Sequence, residues 1–338
     1  MKKFFKEWML PIAMLTGMLS YLIYYNIPAL HFAGPALSKI VGVVQPLLIF
    51  LMLFLSFSHI RPRDIRLHRW HLWLLLVQGG LFVILGAAIM VFVPKVVTEG
   101  DMLTHVLIES AMICLICPTA TASAVVTGKL KGDMAGITTY IILINLLTSV
   151  LVPLIVPMIN PSETRTFTEA FSLIVAKIFP LLIFPCLAAW LVRYLLPRFH
   201  RKIQKYPDLA FQMWAVALTL AICVTTKALV HSDLPLYVIL LMALISLICC
   251  AFQFWMGRKI GKWKAHKDQV HSTTITAGQA LGQKNTVFAI WMGLTFMTPV
   301  TAVVGGFYSI WHNLWNSWEL RKAARAAAAE QQETSGQN

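Results

Sequence analysis

The chain has 338 residues, 58% of them hydrophobic and only 12% charged, with a mean hydropathy of +0.72. Soluble domains run near a quarter charged, so this balance excludes an ordinary soluble enzyme and points to an all-α polytopic membrane protein. A formal charge of +14 would suggest nucleic acid as a partner for a soluble chain, but here the charge is too unevenly placed for that reading.

Apolar stretches long enough to cross a ~30 Å hydrocarbon core recur along the whole sequence. Ten are read in order, at about 8–26, 37–58, 71–93, 102–128, 134–159, 168–195, 209–230, 236–257, 272–295 and 298–316. The connections on one side are "MKKFFK", "HIRPRDIRLHRW", "KLKG", "PRFHRKIQKYPD", "GRKIGKWKAHKDQVH" and "ELRKAARA", and they hold 21 of the 28 Lys and Arg. The opposite connections hold two, Lys95 and Arg165. Positive charge concentrates in cytoplasmic loops, so both termini are expected in the cytoplasm and the protein in the cell (inner) membrane. The partner expected is the lipid bilayer. Neither nucleic acid nor an oligomer is implied.

The first stretch could pass for a leader peptide, since "MKKFFK" precedes an apolar run. That run continues to Tyr25 with no A-x-A site after it, so it is read as the first helix. Six cysteines (114, 117, 186, 223, 249 and 250) all fall within apolar stretches. Cys114 and Cys117 have CxxC spacing, but no second pair or His cluster joins them, so buried small hydrophobes are expected.

Ten stretches divide into two sets of five around the polar connection "NPSETRTFTE". An odd number of crossings per set starts the second set on the opposite side, so halves of one fold would be inverted repeats, at about 8–159 and 168–316. The transmembrane domain is read as 1–316 and residues 317–338 as a cytoplasmic tail, helical at first and then frayed. The fourth and ninth stretches should correspond at an offset of about 165 residues, and both are unusual. In "ESAMICLICPTATASAVVTGKL", Pro118 removes a backbone donor at membrane depth, and small hydroxyl residues follow it. In "TTITAGQALGQKNTVFAIW", the apolar run is interrupted at Gly282 and is polar just beyond. Unwound backbone is tolerated at that depth only where it is buried in protein or lines a cavity. A proline kink beside a polar patch joining two helices is the plainer alternative.

These residues resemble a known family. "CPTATASAVV" is similar to the Cys-Pro-Gly-Gly-Thr-Ala-Ser-Asn motif in the fourth helix of the bile acid:sodium symporter family, and "GQKNTVFA" to its ninth-helix Gly-x-Gln-Asn-Ser-x-Leu-Ala motif. The resemblance implies ten transmembrane helices in two inverted five-helix repeats. Broken helices 4 and 9 would cross in a core domain, with helices 3, 5, 8 and 10, beside a panel of helices 1, 2, 6 and 7. It implies alternating-access transport of an organic anion, bile-acid-like or a smaller carboxylate, with sodium behind the crossover. Thr121 and Ser123 match the fourth-helix motif, and Gly282, Asn285, Thr286 and Ala289 the ninth. Gln78, in "LLVQGGLFV", is similar to a glutamine of a family sodium site. Thr119, Gln279 and Gln283 complete the expected substrate- or ion-binding set. The departures are Ala124 at the motif's Asn, Ala280 at a sodium-bridging Glu, and Lys284 at the motif's Gln. The family's sodium sites are therefore expected to be degraded, with Na+ or H+ left open as coupling ion and no cofactor.

A charged residue at the bilayer centre marks a functional site by default. Lys284 has three readings: a fixed cation replacing sodium among oxygens, a proton carrier that charges and discharges because burial opposes its charged form, or a ligand for the substrate anion. The plain alternative is a lysine that merely snorkels, although about twelve residues from each helix end leave it little reach. Glu109 is read as the one acid clearly inside a stretch. It is expected to face water near the outer mouth, beside His105, with a possible coupling role. Lys177 either faces the cavity between panel and core or snorkels outward. Trp70, Trp73, Trp255, Trp263, Trp311, Trp315 and Trp318 read as an interfacial belt. Against the transporter reading stand a cation/proton antiporter, which wants a mid-membrane Asp that is missing, and an intramembrane enzyme or sensor. For the last two the sequence offers no catalytic set and no appended domain, and no Walker A motif indicates direct use of ATP by a transporter.

Overall fold

The computed structural model describes residues 2–93, 99–161, 164–206, 209–232 and 234–335. Lys95 and Glu163, assigned by sequence to the sparsely charged side, lie outside them. The described chain is helical, with one isolated β-bridge between Thr119 and Lys284. The helices are α1 (Lys2–Asn26), α2 (Gly34–Ser58), α3 (Arg69–Phe92), α4 (Glu99–Ile116), α5 (Ser123–Lys129), α6 (Met134–Ile159) and α7 (Phe167–Leu182). Then come α8 (Phe184–Leu195), α9 (Pro197–Gln204), α10 (Leu209–Val230), α11 (Leu236–Lys264), α12 (Val270–Gly282), α13 (Thr286–Phe296) and α14 (Ala302–Ser335). Among the described residues, six helical segments are long and apolar enough to cross a membrane, while Met102–Ile116 and Thr286–Phe296 are shorter apolar helices. The protein is a polytopic, all-helical membrane protein.

Local chemistry explains where the helices stop. Pro118 has no N–H to give the Cys114 carbonyl, and α4 ends at Ile116. After Gly282, Gln283 turns extended at φ −92°, ψ 113°, and Asn285 caps α13 by accepting the Phe288 N–H at 3.2 Å. A Cβ at Gly282 would run into the Phe254 ring, so only glycine lets α11 approach the end of α12 so closely. The sixth apolar stretch also divides, at Ile183, three residues after Pro180 and with Pro185 in the first turn of α8. "PRFHRKIQ", read as connection, forms the short amphipathic helix α9. Its His200 is buried, and Gln204 Nε2 donates to Ser58 O at 3.1 Å. The boundary drawn at 316 falls inside α14, which continues to Ser335 through alanine-rich sequence of high helix propensity. Glu319, assigned to the tail, is only 6% exposed; the polar sequence around it hid this.

Two groups of helices pack internally. In one, α10 lies against α1 and α2, and α2 against α8. In the other, α11 packs along α12 and also meets α4 and α14, while α3 lies against α4 and α6. The groups join where α6 meets α7 and where α10 and α2 meet α13. Short α5 packs on α6, α12 and α14. The ends of α4 and α12 therefore face each other inside the second group, which sets the geometry of the candidate site.

Candidate functional site at the two helix breaks

The breaks after α4 and α12 are joined backbone to backbone. Ala120 N donates to Gln283 O at 3.0 Å, and Asn285 N to Pro118 O at 2.8 Å, which frames the antiparallel pair Thr119 and Lys284. Breaking α4 frees its last carbonyls, and a bare carbonyl away from water costs several kcal/mol, so each needs a donor. Cys114 O, which Pro118 cannot serve, accepts from Gln253 Nε2 at 3.1 Å. Leu115 O accepts from Lys284 Nζ at 3.2 Å. Ile116 O accepts from Gln78 Nε2 at 3.2 Å and Thr148 Oγ1 at 3.1 Å, and Cys117 O from Gln78 Nε2 at 3.0 Å. Tyr140 holds Gln78 in place by donating to its Oε1 at 2.9 Å.

The end of α12 is treated alike. Thr119 Oγ1 donates to Ala280 O at 2.5 Å and Tyr308 Oη to Gly282 O at 2.8 Å. Cys117 Sγ donates to Asn285 O at 2.9 Å, so this buried thiol does more than fill space. His312 Nδ1 faces the Lys284 backbone N–H at 3.3 Å.

Lys284 is 1% exposed, and its ammonium points at the C-terminal end of α4, the negative end of the helix dipole. Of the residues singled out by sequence, Thr119, Gln78, Gln283, Lys284 and Asn285 converge on the two breaks. Thr286 opens α13 and is buried. Ser123 is buried in the first turn of α5, and Thr121 precedes it half-buried. Among the described residues, Ser123 Oγ, Gln279 Oε1 and Gln283 Oε1 are buried without a hydrogen-bond partner. Ala124 and Ala280 bring no polar side chain to the site. No group of His, Cys, Asp and Glu among the described residues could hold a metal ion.

Gln279 sits one turn before the break, and its Nε2 donates to Glu319 at 2.9 Å. Glu319 also pairs with Arg258 and accepts from Trp315 Nε1 at 2.9 Å, with the guanidinium 5.6 Å from the Trp315 ring centroid. The sequence reading placed no acid beside the ninth stretch. The helix α14 brings one.

Glu109 is corrected by its surroundings. It does not face water: it is fully buried, accepting from Asn160 Nδ2 and, at 3.2 Å, from Thr298 N, with His105 Nε2 at 3.4 Å. It lies about 10 Å along α4 from the break and ties together α4, the end of α6 and the α13–α14 turn. Lys177 stays exposed, its ammonium 5.7 Å from the Phe296 ring centroid.

Sequence inspection missed Gln253, Tyr140, Thr148, Tyr308, His312 and Arg258. Gln253 and His312 carried a signal, as polar side chains inside otherwise apolar stretches.

The model of the Sodium Bile acid symporter family matches residues 46–234, more than half of the chain. The protein belongs to that family. A search of curated proteins found no match. As a member of the sodium bile acid symporter family, it is an integral membrane transporter of a small solute and not an enzyme. The matched region contains Gln78 and the break at Pro118 and ends before the break at Gln283.

Proposed function

We propose that this protein carries organic anions, bile-acid-like or smaller carboxylates, across the cell membrane by alternating access without requiring sodium. In this reading the ten segments form two inverted five-helix repeats with both termini cytoplasmic. The group containing α4, α5, α12 and α13 is the core, and the group of α1, α2, α7, α8 and α10 the panel. The crossed breaks carry the substrate and coupling site, formed by Thr119, Thr121, Ser123, Gln78, Gln279, Gln283, Lys284, Asn285 and Thr286.

The observation that carries the reading is the Lys284 ammonium on the Leu115 carbonyl at the end of α4. A helix C-terminus stabilises a cation, and this one has a covalently fixed cation. The carbonyls at the end of α4 do not favour a sodium ion. Na+ takes oxygen ligands, yet the carbonyls of Cys114, Leu115, Ile116 and Cys117 already accept hydrogen bonds from side chains. A second unit charge 4 Å from the ammonium would be repelled by ~4 kcal/mol at an effective dielectric of 20. The unpartnered oxygens of Ser123, Gln279 and Gln283 are left to meet substrate hydroxyls or water.

The test is uptake of a panel of organic anions into proteoliposomes, with Na+ and pH gradients varied separately. Uptake in Na+-free buffer equal to that in Na+ is expected. Strict Na+ dependence, with normal activity in Lys284→Ala, would overturn the reading.

A further inference from the structure

We propose that the basic end of α14 binds the head group of an anionic phospholipid, with the acyl chains lying along the same helix face. Trp318, Arg321, Lys322 and Arg325 line one concavity of about 280 Å³. Their spacing of three, one and three residues puts all four on a single face. All four are exposed, Trp318 by 55%. The Lys322 ammonium lies 5.6 Å from the Trp318 ring centroid, which fixes the cation over the indole rather than against an acid. The nearest acid in sequence, Glu319, is buried in the helix packing and held by Arg258, Gln279 and Trp315.

Depth selects a lipid over a soluble anion. With Ala302 near the outer boundary, as the proposed topology has it, Trp318 lies about 24 Å and Arg325 about 35 Å along the axis, on either side of a ~30 Å hydrocarbon thickness. One turn before Trp318 on this face is Leu314, 59% exposed. The face thus runs from aliphatic to indole to three cations, the order of acyl chain, glycerol region and phosphate. Indole rings favour the interfacial level, and Arg or Lys just beyond it attract anionic head groups.

A second observation is independent of α14. The device recurs at the same end of α11: Lys259 lies 5.7 Å from the Trp255 ring centroid, and Lys264 lies 3.2 Å and 4.9 Å from those of Trp263 and Trp73. Trp255 and Trp263 are 52% and 61% exposed. Indole–ammonium pairs therefore mark the basic ends of α11 and α14.

The experiment uses the full-length protein in a neutral detergent and follows thermal unfolding with added dioctanoyl phosphatidylglycerol, dioctanoyl phosphatidylcholine or inorganic phosphate. A ligand that binds only the folded state raises its apparent stability. Phosphatidylglycerol is expected to raise the midpoint by several degrees, with no shift from the other two. Arg321→Gln/Lys322→Gln/Arg325→Gln should lose more than half of that shift. Arg198→Gln/Arg201→Gln/Lys202→Gln, which removes the same charge from α9, should keep it. The proposal is overturned if phosphatidylglycerol gives no shift, if phosphate reproduces it, if the α14 variant retains it, or if both variants lose it equally.

Discussion

A buried ammonium such as that of Lys284 costs about 2.5–3.5 kcal/mol on insertion scales. One charge-assisted hydrogen bond, to Leu115 O, offsets about 1.5–3 kcal/mol of that. The negative end of α4 supplies up to ~2 kcal/mol more. Lys284→Gln removes the charge and most of this interaction, and tenfold corresponds to 1.4 kcal/mol, so uptake should fall about 10–100-fold. Lys284→Arg keeps the charge as a wider, planar group that never deprotonates, and should end any proton coupling while sparing Na+ independence. Initial uptake rates at two pH values, with and without Na+, distinguish these outcomes. A Lys284→Gln protein with unchanged uptake would make the lysine a passenger. Glu109 calls for a different expectation. Its carboxylate holds Asn160, His105 and the Thr298 N–H without exposure to water. Glu109→Gln turns an amide donor toward groups that already donate and should cost about 1–3 kcal/mol, a thermal shift of a few degrees. If uptake collapses while the unfolding midpoint stays put, Glu109 is a coupling group and not a staple.

The two helix breaks differ in how much of them the sequence displayed. Pro118, Gly282 and Asn285 are local signals, because a missing donor, a missing Cβ and a capping amide act within their own segment. The donors that make the breaks tolerable come from elsewhere: Gln78 on α3, Thr148 on α6, Gln253 on α11 and Tyr308 on α14. Which carbonyl each would meet depends on helix packing, and hydropathy says nothing of that. Glu319 was misplaced for a related reason, since a boundary drawn by hydropathy ends where polar sequence begins, while the helix does not. The breaks can be tested directly. Pro118→Ala restores an N–H that can reach Cys114 O and lets α4 continue as helix. Uptake should fall about tenfold or more, with the unfolding midpoint unchanged or raised, because helix propensity is gained as the crossover is lost. Gln253→Leu leaves Cys114 O without its donor and should lower stability by about 1–3 kcal/mol. Normal uptake by Pro118→Ala would mean that the break is a kink without a role in transport.

Over the whole molecule, composition and charge made the class legible at once, and the family match agrees with it. The packing of α13 against α10 and α2, and of α5 away from them, could not be read, because lipid-facing and protein-facing apolar surfaces have the same composition. Orientation is the remaining large-scale claim, and it rests on charge. Six connections carry 21 of the 28 Lys and Arg, and the alternation places them all on one side only if every one of the ten segments crosses. Losing or gaining one crossing would scatter the basic connections over both faces and reverse every later segment. Single cysteines introduced at Lys131, Arg201 and Lys262 should therefore resist a membrane-impermeant maleimide on intact cells and react after permeabilisation. Those at Glu99, Glu163 and Ser232 should react before it. The six native cysteines give a low background, five being buried and Cys223 half-buried. One outer position protected on intact cells, with its neighbours unchanged, would mean that two adjacent segments do not cross, and the inverted five-plus-five arrangement would fall with them.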